Sequence, residues 1–223
     1  FKSMTGTGGF SSKLLTILVV ALSSTAALAD TGNSVYIDQT NADNSTVSIT
    51  QSGTDNRVGD PNSLTNPQFS IDGNAMNLTI IQDGQGNSIT GNFVGGDSTA
   101  NITQTGDFNT SILNFGSSGS NGGTLGINIT GNSNTASITQ TSTGGGKGVF
   151  ATIANNSNTL TVQQKDAGSH YAEINLSGGS KTVDLLQQGS ASHMAKITLS
   201  GQPVGLNLNQ SGSTQQFYSI NYN

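Results

Sequence analysis

The sequence has 223 residues, lacks cysteine and tryptophan, and contains only three prolines. Without cysteine, the folded chain cannot be held together by disulfides. Charged residues make up 9% of the chain, the formal net charge is -5, and Arg57 is the only arginine. So few basic side chains cannot follow a phosphate backbone, and a nucleic acid is therefore not an expected partner.

Long apolar runs are also scarce, and the one that exists covers residues 14 to 29, LLTILVVALSSTAALA, directly after Lys13. A basic residue, an apolar stretch and a final Ala-Leu-Ala are typical of a secretory signal peptide. A membrane anchor is the alternative, but Ser-Ser-Thr at 23 to 25 leaves the apolar part short for a span. We expect residues 1–29 to be removed after Ala29, which predicts an exported, extracellular protein.

What the sequence does have is a repeated phrase. GNSNTASITQ at 131 returns in related form at 155, 178 and 201, at intervals of 24, 23 and 23 residues. Earlier copies are less regular, because residues 57–68 and 115–124 interrupt the count. A fixed period of this length indicates a repeat architecture. We expect the two interruptions to be loops that bulge from the stack; two smaller solenoids are the alternative.

Within each repeat, two apolar residues alternate before the closing glutamine, and a second alternating pair precedes the opening Gly or Asn. Alternation at period two predicts strands with one buried face. The turns between them are too short for a crossover helix. The sequence therefore predicts an all-β fold, a parallel two-sheet β-solenoid with coils of about 23 residues and two short strands per coil. We divide the mature chain into an N-terminal coil with a proline-containing loop at 30–68 and solenoid repeats at 69–223.

The repeated glutamines share the phase of the inward apolar residues, so we expect them to point inside. Buried amides need hydrogen-bond partners, and stacked coils offer the next glutamine of the same column. The alternative is that each glutamine ends its strand and turns outward. The predicted inward ladder consists of Gln39, Gln51, Gln82, Gln104, Gln140, Gln164, Gln187 and Gln210. The predicted turn positions are Gly53, Asn56, Gly84, Asn87, Gly106, Asn109, Gly131, Gly178 and Gly201.

Three of these segments, at 51–56, 82–87 and 104–109, read Gln-x-Gly-x-x-Asn, and the unit at 33–56 has both strands ending in Gln. In these motifs the chain resembles the curlin-repeat family of bacterial curli fibres over roughly residues 33–223. It departs from that family where the first strand of most coils ends in Gly or Asn. The resemblance implies a functional amyloid subunit of the extracellular biofilm matrix, exposed on the cell surface. It also implies a nucleator subunit and a dedicated outer-membrane secretion apparatus as partners.

Other functions find less support in the sequence. Asp55, Asp83 and Asp107 stand at different offsets from their glutamines, so the clustered carboxylates of a glycoside-cleaving enzyme are not expected. His170 and His193 are 23 residues apart and should stack on adjacent coils, but no third ligand recurs with them. We therefore predict no enzyme activity, metal or cofactor. A monomeric surface adhesin or an ice-binding solenoid remains the alternative function.

The segment 217–223, FYSINYN, alternates like a strand and carries no polar cap. An open strand edge recruits another chain. We expect it to pair with a strand within 33–51 of the next subunit and to build a head-to-tail homopolymer. The predicted junction residues are Val35, Ile37, Tyr218, Ile220 and Tyr222.

Overall fold

The structure, a computed structural model, describes residues 17–23, 32–39, 43–59, 69–73, 75–93, 97–115, 123–141 and 144–222. In these ranges every regular element is a β-strand, and no helix is long and apolar enough to cross a membrane. All strand pairs are parallel, and the coils stack into a β-solenoid of about 7 turns with a spacing of about 23 residues. The predicted fold class is confirmed.

The strands follow one another in chain order as β1 Ile17–Ser23, β2 Ser34–Val35, β3 Ile37–Gln39, β4 Thr46–Thr54, β5 Arg57–Val58, β6 Phe69–Ile71, β7 Leu78–Thr79, β8 Gln82–Gln85, β9 Ser88–Phe93, β10 Gln104–Thr105, β11 Thr110–Phe115, β12 Ile129–Thr130, β13 Thr135–Gln140, β14 Ile153–Ala154, β15 Thr159–Gln164, β16 Thr182–Gln188, β17 Met194–Ala195, β18 Gly205–Ser211 and β19 Phe217–Tyr218.

The chain passes alternately between two sheets as it winds. Sheet A runs in the order β1-β4-β8-β10-β12-β14, with β7 beside β4. Sheet B runs β2-β5-β9-β11-β13-β15-β16-β18, with β3 and β6 joining at β9. Strands β17 and β19 form a separate pair on the side of sheet A. The intervening coil connects this pair to sheet A, since Gly148 donates its N–H to His170 O and Tyr171 donates its N–H to His193 O. Each coil thus contributes one segment to each side.

The core lies between the two sheets and is built by strict alternation along the strands. In β13 the inward residues Ala136, Ile138 and Gln140 are buried, while the residues between them are partly exposed. The same alternation recurs in β15 and β16. Registers carry each inward position onto its equivalent one coil later, as for Ile138 and Val162. The core is therefore a set of parallel columns that run along the solenoid axis.

On the side of sheet A, the predicted second strand of each later coil is inward but short. Ile127, Ala151 and Ile174 are buried, yet each has a positive φ, which breaks regular strand geometry. As a result, β12 and β14 are only two residues long. The columns nevertheless continue through these breaks.

The interruptions of the repeat are only partly within the described residues. In the predicted loop 57–68, Arg57–Val58 forms strand β5 between β2 and β9, so the loop begins later than expected. Residues 60–68 and 116–122 lie outside the described residues. The same holds for most of the predicted signal peptide and its cleavage point after Ala29, although residues 17–23 within it form β1.

Candidate functional site

Three of the predicted ladder glutamines form a column on sheet A. Gln51, Gln82 and Gln104 are aligned by register and fully buried. Gln104 donates from Nε2 to Oε1 of Gln82 at 3.3 Å, and Gln82 donates to the backbone oxygen of Arg57 at 3.0 Å. Ser111 donates from Oγ to Oε1 of Gln104 at 2.7 Å. Because Arg57 and Ser111 belong to sheet B, these amides tie the two sheets together.

The last four glutamines form a second column, on sheet B. Gln140 donates from Nε2 to Oε1 of Gln164 at 2.7 Å, Gln164 donates to Gln187 at 2.8 Å, and Gln187 donates to Gln210 at 2.7 Å. All four side chains are buried. Every donor points toward the C-terminal end, so the column is one continuous hydrogen-bonded chain of amides.

The expected single ladder of eight glutamines is therefore divided between two sheets. Gln104 and Gln140 are 36 residues apart, about one and a half coils. The extra half coil places Gln140 on sheet B, whereas Gln104 lies on sheet A. Phe115, not a glutamine, pairs with the backbone of Gln140. Gln39 also belongs to sheet B, where its backbone pairs with Ile71 and not with a member of the sheet A column. The spacing of 36 was the signal in the sequence for this change.

A further polar column runs along the corner where sheet A turns into sheet B. Asn56, Asn87 and Asn109, predicted as turn residues, are fully buried, and Asn134 and Asn158 continue their line. Each Oδ1 accepts hydrogen bonds from both the backbone N–H and Nδ2 of the next asparagine, at 2.9 to 3.1 Å. Sequence reasoning missed this ladder, although asparagine three residues after the turn glycine was its visible signal.

The predicted turn glycines are explained by the same corner. A Cβ at the glycine would overlap the carbonyl oxygen of the equivalent residue in the next coil, and φ is positive, at Gly53, Gly84, Gly106, Gly131 and Gly178. The asparagine column uses those carbonyls, as when Asn109 donates from Nδ2 to Gly131 O at 2.6 Å. Beyond Gly201 the space is open. Coils can stack this closely because the corner residue lacks a side chain.

Lys181 takes the place of asparagine where this column ends. Its backbone N–H donates to Oδ1 of Asn158 at 3.1 Å. Its Nζ donates to the carbonyl oxygens of Gly201 at 2.7 Å and Gln202 at 2.8 Å. The residue is fully buried, and desolvation lowers the pKa of its ammonium group. A longer donor thus reaches the same class of acceptor as the asparagine amides.

The opposite corner holds a column of mixed residue types at 23-residue steps. Lys147, His170 and His193 are buried, and Gln216 follows them. Lys147 donates from Nζ to the carbonyl of Asp166 at 2.9 Å, and also to the Gly144 and Gly168 carbonyls. The next three residues bond the carbonyl five residues earlier, His170 at 2.7 Å, His193 at 2.9 Å and Gln216 at 3.3 Å. Each residue therefore closes its own turn from inside.

The two histidines lie on adjacent coils as the sequence suggested. Their rings are parallel, with 5.3 Å between centroids and 2° between planes. The Nδ1 atom of His170 accepts the backbone N–H of His193 at 3.4 Å, which requires a neutral ring that donates from Nε2. Desolvation is the main cause that lowers the pKa of His170 to about 4, and nearby Lys147 adds to it. The pKa of Lys147 falls to about 8, also through desolvation.

Several acidic side chains of the described coils make surface contacts. Ser52 donates from Oγ to Asp83 at 2.5 Å, and Asp107 accepts the backbone N–H of Gln85 at 2.9 Å. Lys196 and Glu173 form an exposed ion pair at 3.4 Å. Within the described ranges, no group of three or more His, Asp or Glu side chains could hold a metal ion.

The predicted junction residues lie at the two ends of the stack, on different sides. Val35 and Ile37 are partly buried at the N-terminal end of sheet B. Ile220 is partly buried, and Tyr218 and Tyr222 are 43% and 47% exposed, at the C-terminal end on the side of sheet A. The strands β2 and β3 lie on sheet B, in the position that β18 occupies at the C-terminal end. Of the strands within 33–51, β4 lies on the side of the C-terminal strand, and it is therefore the expected partner.

Comparison of the chain with protein-family models, with curated proteins and with solved structures finds no match.

Proposed function

We propose that this chain is an exported structural subunit that stacks end to end on copies of itself and builds a curli-like amyloid fibre of the extracellular matrix. One observation carries the proposal. Among the described residues, five apolar side chains pack against the core while only partly buried, and all five lie in the first or last coil: Val35, Ile37, Val204, Leu206 and Ile220. A second copy stacked on either end would complete their burial, and burial of apolar surface favours association.

The N-terminal edge of sheet B has backbone groups that face outward along the axis. Ser34 and Tyr36 donate their N–H groups to the second coil, at 2.9 and 2.8 Å. In a parallel ladder, alternate residues bond to opposite neighbours. Val35 and Ile37 therefore direct their N–H and C=O groups away from the solenoid.

The C-terminal edge of sheet B is complementary. Val204 accepts the N–H of Thr182 at 2.9 Å, so even-numbered residues of this segment bond to the preceding coil. Gly205, Asn207 and Asn209 then face away from it. A parallel ladder forms between the two edges when Val35 of one copy lies opposite Leu206 of another.

This alignment also keeps the columns continuous. The strand registers lead coil by coil from Val35 through Val58 and Ile89 to Leu206. The aligned junction pairs are Val35 with Leu206, Ile37 with Leu208 and Gln39 with Gln210. Apolar positions meet apolar positions, and the glutamine column of sheet B gains a further glutamine.

The resemblance to curlin repeats supports the same function. It extends the proposal to secretion through an outer-membrane apparatus and to assembly on a nucleator. A head-to-tail contact between identical subunits does not close, and it therefore produces a filament.

An ice-binding role is less favoured by the outward face of sheet B. One outward column is uniform, Thr110, Thr135, Thr159 and Thr182, and lies in register across four coils. The next column changes from Ile112 through Ser137 and Thr161 to Asp184. A flat ice-binding surface needs neighbouring threonine rows, so we retain the fibre subunit as the proposal.

Electron microscopy of the purified chain without residues 1–29, at micromolar concentration, tests this function. We expect unbranched filaments that bind an amyloid dye. Monodisperse particles that persist for days, also after fibre fragments are offered as seeds, would overturn the proposal.

A further inference from the structure

Strand β1 lies on the edge of sheet A that a stacked copy would use. It pairs with β4 over seven positions, from Ile17 opposite Thr46 to Ser23 opposite Ser52. On its other side, β4 pairs with β7 and β8 of the next coil. Strand β4 therefore has neighbours on both edges as long as β1 is in place.

The backbone groups of β4 that face β1 can be identified. Ser48 accepts the N–H of Ile80 at 3.0 Å, and Thr54 accepts the N–H of Gly86 at 2.9 Å. Even-numbered residues of β4 thus bond to the next coil, and Val47 and Ile49 direct their backbone groups toward β1.

The C-terminal segment of another copy would need those same groups. Lys196 donates its N–H to Tyr218 O at 3.0 Å, and Thr198 donates to Ile220 O at 2.9 Å. Ser219 consequently faces away from its own solenoid. If the stack continues with the 23-residue steps of the last coils, the aligned pairs are Tyr218 with Val47, Ile220 with Ile49 and Tyr222 with Gln51.

A strand edge accepts one neighbour, at about 4.8 Å. We propose that β1 is an intramolecular cap, which occupies the sheet A docking edge for a second copy until residues 1–29 are removed. This inference rests on the proposed function, since it concerns the surface through which the subunits would stack. The predicted leader then has two roles, export and delay of polymerisation, and both end with one cleavage.

The cap leaves the rest of the N-terminal end available. Strands β2 and β3 lie on sheet B, and β1 has no partner there. The uncleaved chain can therefore offer half of the junction, which predicts weak and slow addition to a fibre end and not complete exclusion.

Seeded elongation with the full 223-residue chain tests the inference. The variant carries Val19→Pro and Val20→Pro, which remove two adjacent backbone N–H donors of β1. Because alternate residues of a strand face the same neighbour, one of these two donors faces β4. The matched control is Ser12→Pro, outside β1. We expect the double variant to add to fibre seeds at least tenfold faster than the parent chain, and the control to behave as the parent.

Hydrogen exchange of the monomeric full chain gives a second readout. We expect the amides of β4 to exchange faster in the double variant than in the parent, while the amides of β16 are equally protected in both. Equal exchange of β4, or equal elongation rates of parent and variant, overturns the cap while the fibre proposal stands. Failure of the chain that begins at Asp30 to form fibres overturns the proposed function and the cap together.

Discussion

Gln187 donates a hydrogen bond from Nε2 to Oε1 of Gln210 at 2.7 Å, and both side chains are fully buried. Gln187 also accepts from Gln164 at 2.8 Å, so it is an internal link of the sheet B column. Loss of the Gln187 side chain therefore leaves the buried donor of Gln164 and the buried acceptor of Gln210 without the partner that linked them, whereas loss of a residue at the end of the column affects one neighbour only.

We therefore predict that Gln187→Leu lowers the free energy of unfolding and slows fibre growth. Each of the two orphaned buried groups costs about 1 to 3 kcal/mol, so the loss should amount to roughly 2 to 6 kcal/mol. Asp184→Asn is the control, since Asp184 lies on the outward face of the same strand. Urea unfolding and seeded elongation measure both effects, and equal behaviour of the two variants would contradict the structural role of the column.

A similar prediction applies to the asparagine column, at the corner where sheet A turns into sheet B. Asn134 accepts the N–H and Nδ2 of Asn158 and donates to Asn155 O at 2.7 Å. Asn134→Ala should cost about 2 to 4 kcal/mol, because several buried groups lose their partners at once. Asn209 lies exposed on the outward face of β18, and Asn209→Ala should stay within about 0.5 kcal/mol of the parent. Similar thermal unfolding of both variants would show that the corner tolerates an unpaired backbone.

The sequence predicted the solenoid because the information for it is local and repeated. Alternation fixes which residues of β13, β15 and β16 face inside, and the constant interval brings equivalent residues together. The repeat pattern did not show on which sheet each glutamine lies. Gln39 and Gln51 are 12 residues apart, half a coil, and lie on opposite sheets for that reason.

The column at the second corner could not be found in the same way. Lys147, His170, His193 and Gln216 share a position, but only the two histidines share a residue type, so the repeated letter shows half of the column. Their common property is a side chain that bonds a carbonyl of the same turn. Only the fold shows this equivalence.

His170 of this column makes the stability of the fold depend on pH. The folded chain keeps His170 neutral down to a pKa of about 4, whereas the unfolded chain takes up a proton near the ordinary value of 6.5. Protons therefore favour unfolding, and stability should fall as the pH drops from about 6.5 toward 4. Lys147, His193 and Asp166 face the ring, and the ammonium group of Lys147 is charged throughout this window.

The variant His170→Gln should remove part of this pH dependence, because a glutamine already serves the equivalent position at Gln216. Urea unfolding at pH 7, 6, 5 and 4 measures the slope. Relative to its value at pH 7, the free energy of unfolding should fall more steeply below pH 6.5 in the parent than in the variant. Parallel curves over the whole range would show that His170 is not the group responsible.

The open edge on the side of sheet A can be blocked at one residue. The backbone of Ile220 bonds to Thr198 of its own solenoid, so proline there would damage the subunit itself. Ser219 faces the incoming copy, and Ser219→Pro removes a donor from that edge. We predict a β-rich monomer with parental thermal stability that elongates seeds at least tenfold more slowly. Normal elongation would exclude this edge from the junction.

Cross-linking can detect in-register stacking of the two ends, because the parent has no cysteine. The proposed alignment places Asn207 of one copy opposite Tyr36 of the next on the outward face, within the Cα separation of about 4.4 to 6.8 Å that a disulfide needs. Fibres grown from a mixture of Asn207→Cys and Tyr36→Cys subunits should yield a mixed disulfide dimer on mild oxidation, and a mixture of Asn207→Cys with Asn132→Cys should not. Dimers of Asn207→Cys with itself, or equal cross-linking in both mixtures, would contradict head-to-tail stacking.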